Sequence, residues 1–293
     1  AYSGDWSKLP RNAMSEQSGA DGGVMIPPAL SSQVIEIVRN KSQVVNAGAL
    51  TIPLTTAGLT FAKQTSDPVA HWRGDLQTIV ESQLNLDEVT FKSNSVGAIV
   101  VMSEELLMDA PNAGQLVMDS LAASLALAVD AAALTGNGIA KPAPIVSTAG
   151  VQIMSAVGTL AGYAKFAEAA GLLWAANYLP TALLLNGATM AKIDALADST
   201  GQPMAPLPSW STYQHLITNQ LPKVTSKSDA VLGDFSKYWF AMRNQVMIQM
   251  ERTGTVGTTN LFTDLGVGIR AWMRVDGLPV RPDAFVVMKD INV

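Results

Sequence analysis

Residues 103–138 read SEELLMDAPNAGQLVMDSLAASLALAVDAAALTGNG, a short helical turn leading into one long helix. Ser103 is placed to accept a hydrogen bond from a first-turn N–H, and Glu104 and Glu105 complement the positive end of the helix dipole. Pro111 fixes φ and lacks a donor, so the lead-in is expected to end near Asp109 and the long helix to start with Pro111 in its first turn. The run to about residue 135 then makes a rod of about 35 Å at ~1.5 Å per residue. Val117, Leu121, Leu125, Ala128 and Ala132 recur at steps of three or four, the spacing of one buried face. Ala122, Ala126 and Ala133 form a second strip that lets a neighbour approach closely. Gly136 is expected to end the helix as a left-handed cap, with Asn137-Gly138 continuing as a turn.

The flanks place this helix on a sheet. An apolar strand, Val96 to Met102, precedes it. Before that, Leu50, Ile52 and Leu54 alternate, then Leu59 and Phe61; Leu84 and Leu86 are followed by Val89 and Phe91 on a shifted register that suggests a bulge. Between them, residues 62–83 carry Lys63, Asp67, His71, Arg73, Asp75 and Glu81 with little to bury beyond Trp72, Leu76 and Ile79. That stretch reads as a long projecting hairpin, which needs another surface to lie on because it has no core of its own. The N-terminal residues 1–23 read as an extended arm with Trp6 and Leu9 as anchors, followed by a helix over 30–40 with Val34, Ile35 and Val38 on one side.

After the long helix, Lys141-Pro142-Ala143-Pro144 opens a second unit. Leu160, Tyr163, Ala167, Ala170 and Trp174 mark an amphipathic helix ending near Asn177. Ala182 to Leu185 is a buried strand, 188–197 a helix and 198–203 a turn. Strands are expected at 230–235, 238–242 and 246–250. The C-terminal strands, Val267 to Val275 and Ala284 to Lys289, are separated by Asp276-Gly277 and the turn from Pro279 to Pro282, and both are expected to pair with Val89 to Met102 beneath the long helix.

Composition narrows the function. The 293 residues are 48% hydrophobic and 15% charged, apolar enough to imply surface buried between subunits. Charged residues such as Asp130, Lys165 and Glu168 interrupt the apolar runs, so no membrane span is expected. Net charge is −5 with no cluster of Lys and Arg, which argues against a nucleic-acid grip. Cysteine is absent, and with it thiolate catalysis and cysteine zinc sites. The two histidines, His71 and His215, are far apart and read as loop residues. Neither a GxSxG elbow, an HExxH pair nor a Walker sequence occurs, and Gly136-Asn137-Gly138 reads as a turn. Glu104 and Glu105 are adjacent on a helix and do not face one another. Asp194 and Asp198 read as a helix end and its turn, and Gly266 and Gly268 as a close backbone approach. No catalytic, cofactor or metal site emerges.

Seven stretches in order then resemble the major capsid protein of tailed double-stranded DNA bacteriophages, the Hong Kong 97-type fold. They are GGVMIPPALSSQVIEIV (22–38), TIPL (51–54), ESQLNLDEVTFKSNSVGAIVVMSEELLMDAPN (81–112), VDAAALTGNG (129–138), ALLLNGATMAKIDALADSTGQPM (182–204), VLGDFSKYWFAMRNQV (231–246) and GIRAWMRVDGLPVRPDAFVVMK (268–289). The resemblance implies an α+β fold with an N-terminal arm and short helix (1–46). It also implies a peripheral domain (47–142 plus 251–293) with an extended loop at about 55–81 and a spine helix at about 111–135, and an axial α/β domain (143–250). It implies a structural protein without enzymatic activity or cofactors, self-assembling into hexamers and pentamers of an icosahedral virion shell around packaged DNA. Assembly in the host bacterial cytoplasm is implied too, with a portal, scaffold, maturation protease and decoration proteins as partners, and no membrane.

Under that reading Lys63, Asp67, His71, Trp72, Arg73, Leu76 and Ile79 of the loop contact a neighbouring subunit, and Trp6, Leu9 and Arg11 anchor the arm. Some members join subunits by a Lys–Asn isopeptide bond helped by a Glu. Lys63 and Asn260 stand in the corresponding regions, but Leu261 to Met288 contains no Glu, so self-crosslinking is not expected. A start at Ala1 fits either protease maturation or removal of an initiator Met. An encapsulin-like compartment shell, a surface-layer or tail-tube protein and an uncharacterised α/β enzyme are the alternative readings.

Overall fold

A computed structural model describes residues 42–293 apart from 57, 65–67, 76, 79, 80, 84, 111, 199 and 222, and leaves the side chains of 244 and 245 undescribed. The expected arm, its anchors Trp6, Leu9 and Arg11, and the helix over 30–40 lie outside the described residues. The helices are α1 (Gln43–Asn46), α2 (Glu104–Asp109), α3 (Ala113–Thr135), α4 (Ala164–Ala175) and α5 (Gly187–Asp194). The first strands are β1 (Leu50–Pro53), β2 (Gly58–Gln64), β3 (Leu86–Lys92), β4 (Asn94–Ser103), β5 (Gln152–Met154), β6 (Ala182–Leu185) and β7 (Gln214–Ile217). They continue as β8 (Lys223–Val224), β9 (Lys227–Gly233), β10 (Tyr238–Glu251), β11 (Thr255–Val256), β12 (Thr259–Asn260), β13 (Gly266–Pro279) and β14 (Phe285–Asn292).

The long helix α3 forms as its sequence dictates and buries most of the expected face, Leu121, Leu125 and Ala132, together with the expected strip of Ala122, Ala126 and Ala133. Met118, Leu121, Ala122, Leu125, Ala126, Val129 and Ala133 are buried, whereas Ala128 is exposed and Val117 only half-buried. Leu121, Leu125, Ala122, Ala126 and Ala133 share one core with Met102 of β4 and Ile269 and Ala271 of β13, strands the helix packs on, and the small side chains let the backbone settle close to the sheet. An 18-residue window of α3 has mean hydropathy 1.6, so by length and composition the helix could cross a membrane despite Asp130; half of that window is buried within this fold. Ser103 caps α2 by accepting the Glu105 N–H at 3.2 Å, and α2 ends at Asp109 as expected. Gly136 is not a left-handed cap. Its φ is −58°, and the free carbonyls of Ala133 and Leu134 are satisfied by the N–H groups of Ile145 (2.8 Å) and Val146 (3.1 Å) instead. Glycine is still required there, since a Cβ would stand 2.4 Å from the Ala132 carbonyl oxygen.

Two sheets flank this helix. The first has the order β1-β10-β13-β4, with β1 parallel to β10 and the other pairs antiparallel. The strands expected at 238–242 and 246–250 are a single strand, β10, whose register slips between Arg243 and Met247. β13 runs straight through Asp276-Gly277, where a turn was expected. A Cβ at Gly277 would meet the Tyr238 hydroxyl at 2.9 Å, so glycine serves strand packing here. Gly266 and Gly268 do mark a close approach, by the Leu261 side chain.

The second sheet has the order β5-β14-β9-β6-β7, with β8 beside β9. β14 therefore does not pair beneath the long helix as expected; it lies between β5 and β9. Its unbroken apolar run, buried on both faces, suits this central position. One face of the sheet packs on Phe166, Ala170, Leu173 and Ile193 of α4 and α5; the other joins the core of α3. The α4 stripe is shifted in part: Leu160 and Ala170 are buried as expected, but Phe166, Ala169 and Leu173 are buried with them while Trp174 is exposed. The Thr181 hydroxyl ties the second sheet to the first region, donating to the Ala47 carbonyl at 3.0 Å and accepting the Phe235 N–H at 3.0 Å.

Candidate interaction surfaces

The projecting hairpin is built on a small core of its own. β2 and β3 pair in continuous register from Gly58↔Lys92 to Gln64↔Leu86, without the expected bulge. Alternation turns Phe61, Val89 and Phe91 inward onto Ala241, with Trp239 and Leu278 beside them. Phe61 meets Phe91 and Trp239 edge-on at 6.0 and 5.8 Å. Past Gln64 no strand pairing is described until Leu86. A turn at the tip is held by the Gln77 N–H on the Gly74 carbonyl (3.3 Å) and by Arg73 Nη1 on the Gln77 carbonyl (3.1 Å).

Of the expected loop residues, His71, Trp72 and Arg73 stand together in solvent, Trp72 completely exposed. Lys63 lies in β2 opposite Asp87. Asp67, Leu76 and Ile79 fall outside the described residues. Asn260 sits elsewhere, in the β11–β12 hairpin, where its side-chain oxygen accepts the Phe262 N–H at 3.1 Å. That hairpin packs at the Gly266 end of β13 through Leu261, whereas the root of the projecting hairpin packs at Leu278. Twelve strand residues separate the two ends, roughly 40 Å at ~3.3 Å each, so Lys63 and Asn260 of one subunit do not meet.

A second exposed apolar patch lies at the Ser103 end of the first sheet. The Glu104 N–H bonds the Leu265 carbonyl at 2.8 Å, which brings exposed Leu265 beside the start of α2 with its exposed Leu106 and Met108. Phe262 (74% exposed), near Leu265 in sequence, and Leu116 (70% exposed), at the start of α3, are further large apolar residues in water.

One polar group that sequence reasoning missed fixes where the chain emerges from its N-terminal segment. Asp130 of α3 is buried, and its carboxylate accepts the Ser42 hydroxyl (2.6 Å), the Gln43 N–H (2.6 Å) and the Val44 N–H (3.4 Å). It thus caps α1 from a distance of almost ninety positions in sequence. Burial raises its pKa above the usual carboxylate value, against the lowering by these donors. The signal available in sequence was a lone acid within an apolar helix.

Chemistry of an enzymatic kind is sparse. A cleft of about 430 Å³ between α3 and β4 is lined by Val96, Ala128, Val129, Ala132, Val275 and Pro142, with Lys141 its one charged residue. Among the described residues no three His, Asp or Glu gather in a way that could hold a metal ion. His215 is not in a loop: it lies in β7, stacked on Trp210 at 4.3 Å, with Nε2 buried and unbonded and its pKa lowered by burial. His71 is exposed in the hairpin.

Comparison with known proteins converges on one group. The model of the phage capsid family matches residues 22–290. The major capsid protein of Klebsiella oxytoca phage phiKO2 is 29% identical over 127 residues, which are 43% of this chain and 29% of that protein, so the match spans under a third of the relative. Among solved structures, a chain from Gordonia phage Cozz aligns with TM-score 0.69 and 19% identity over 86% of this chain and 87% of its own. A chain from the capsid of a native GTA particle aligns with TM-score 0.65 and 17% identity over 97% of each. At such identities the likeness is one of fold: an α+β fold of the Hong Kong 97 type.

Proposed function

We infer the function from one premise: the chain belongs to the phage capsid family. It is a major capsid protein, a structural subunit whose copies associate as hexamers and pentamers and close an icosahedral shell around double-stranded DNA. The observation that carries this reading is the hairpin of residues 58–92, folded at its root and bare at its tip. A tip with Trp72 wholly in water has no reason to be apolar in a solitary subunit. Laid over a neighbour, a tryptophan covers ~150–250 Å², worth at most about 4–6 kcal/mol at ~25 cal/mol per Å² before the cost of ordering the loop.

The same reading assigns Lys63, Asp67, His71, Arg73, Leu76 and Ile79 to that contact, and Trp6, Leu9 and Arg11 to contacts of the arm. The peripheral domain is read as 47–142 plus 251–293 and the axial domain as 143–250; sheet membership favours moving β10 to the former and β14 to the latter. A portal, scaffold, maturation protease and decoration proteins complete the set of partners, with assembly in the bacterial cytoplasm. Subunits remain unlinked by Lys63 and Asn260, so a boiled particle runs as a monomer band.

The test is negative-stain microscopy of the purified protein beside a variant lacking residues 68–78. Shells, hexamers or pentamers from the parent, and a folded but unassembled variant, are the expected result. A parent that stays monomeric at high concentration, with or without co-expressed scaffold, or a variant that closes normal shells, overturns the reading.

A further inference from the structure

The outer face of the first sheet carries an unpaired basic site. Strand alternation puts Trp239, Ala241, Arg243, Met247 and Gln249 of β10 on the face away from α3, opposite Leu278, Asp276, Arg274, Trp272 and Arg270 of β13. Arg243 and Arg274 are therefore direct cross-strand partners. Like charges opposite one another in a sheet repel, and side chains in that position are only ~4.5–5.5 Å apart at Cβ. Neither forms an ion pair among the described residues. The Arg274 Nε is buried without a hydrogen-bond partner. Asp276, the acid two positions away, is occupied: its oxygens accept the N–H groups of Lys92 (2.7 Å) and Gly277 (2.9 Å).

Two arginines on directly opposite strand positions, one of them with an orphaned donor, fit a carboxylate, which takes parallel N–H···O bonds from a guanidinium. The surroundings are apolar, with Trp272 half-buried and Met247 and Ile99 exposed. The occupant must therefore bring an acid and an apolar side chain together. The hairpin described above does so, with Asp75 and Glu81 exposed in the same loop as Trp72. A phosphate backbone fits less well, because the chain carries net charge −5 and the same face ends in Glu251.

We propose that the Arg243–Arg274 pair is the docking site for Asp75 or Glu81 of the hairpin of a second copy of this chain. This rests on the shell reading and names the residues that register one subunit on the next. Repulsion within the free subunit is relieved only on docking, so the pair favours assembly at a small expense to the monomer.

The test compares the parent with Arg243→Met/Arg274→Met and with a charge-swapped protein, Arg243→Glu/Arg274→Glu combined with Asp75→Lys/Glu81→Lys. Light scattering and sedimentation give the concentration at which oligomers form, and urea unfolding checks each subunit. Losing a charge-assisted contact is expected to raise that concentration roughly tenfold or more, with an unchanged or higher unfolding midpoint, and the swapped protein is expected to assemble like the parent. Unchanged assembly of the methionine variant, or no recovery on swapping, overturns the docking site while leaving the shell reading intact. Normal empty shells that lose only their nucleic acid would assign the arginines to phosphate and also overturn it. A parent that forms no oligomer defeats both.

Discussion

Replacing Asp130 with alanine tests whether one buried carboxylate holds the start of the described chain to the long helix. The substitution strands three donors, the Ser42 hydroxyl and the N–H groups of Gln43 and Val44. Each hydrogen bond to a charged group contributes about 1.5–3 kcal/mol, and a buried donor left alone costs about 1–3 kcal/mol. Against this, removal of the acid abolishes its own desolvation cost, which is what raises its pKa. The balance is a loss of about 3 kcal/mol, or about 1 M in urea midpoint for a slope near ~3 kcal/mol per molar. Asparagine keeps one acceptor oxygen but turns an NH2 toward a backbone donor, and is expected to lose about half as much.

The pH dependence of the same group has a definite sign. With its folded pKa above the ordinary 3.8, Asp130 binds its proton more tightly in the folded than in the unfolded chain. Its contribution to stability is therefore largest at low pH and falls as pH rises from 3.8 through the raised value. Unfolding of the unassembled subunit, followed by tryptophan emission between pH 3 and 8, should show the stability gap between parent and Asp130→Asn widening in favour of the parent toward acid. An alanine variant within about 1 kcal/mol of the parent, or a gap that widens toward alkali, would refute the reasoning.

Three further outcomes follow from particular contacts. Trp72→Ala leaves the unfolding midpoint unchanged within about 0.5 kcal/mol, since the side chain touches water only, but lowers the yield of shells seen by microscopy. Gly277→Ala drives a methyl against the Tyr238 hydroxyl and the Phe240 ring at 2.9 and 3.0 Å, and is expected to destabilise the subunit by about 1–3 kcal/mol in urea. His215 binds its proton less readily when folded, so the stability it contributes is present above pH 6.5 and lost as pH falls through its lowered pKa; Trp210 emission reports the change, and His215→Gln removes that slope.

The parts of the fold that were legible in the sequence are those set by local pattern. The Ser103 cap, the end of α2 at Asp109, the long helix and the buried strand 182–185 all follow from neighbours within a few positions. What was not legible was decided at long range. Ala128 fits the apolar spacing of the α3 face yet is exposed, while Met118 and Val129 beside that face are buried, a choice made by tertiary packing that the spacing does not encode. Asp276-Gly277 has the composition of a turn, yet the Tyr238 ring above it demands a glycine within a strand. β14 reads equally well as a strand of either sheet, and its place between β5 and β9 depends on a core that 130 intervening positions separate from β5. The arginine pair was invisible for the same reason: a bulge between Arg243 and Met247 sets the register that brings Arg243 opposite Arg274.

β13 shows how one strand serves two ends. Its Val267, Ile269, Ala271, Met273 and Val275 are all buried toward α3 and hold the subunit together. Its other face is shared out along its length: Leu278 supports the root of the hairpin, Arg274 and Trp272 are only half-buried, and Gly268 and Gly266 receive Leu261. Folding therefore consumes one face completely and the other only at its ends. Because alternate residues belong to opposite faces, substitutions at 272 and 274 can alter association without entering the core, while those at 271 and 273 cannot avoid it. A subunit built in this way separates the energy that folds it from the energy that joins it to others. That separation is what a shell protein needs, since each copy must be stable before it meets its neighbours and must then bind them over surfaces that were left apolar and unpaired in solution.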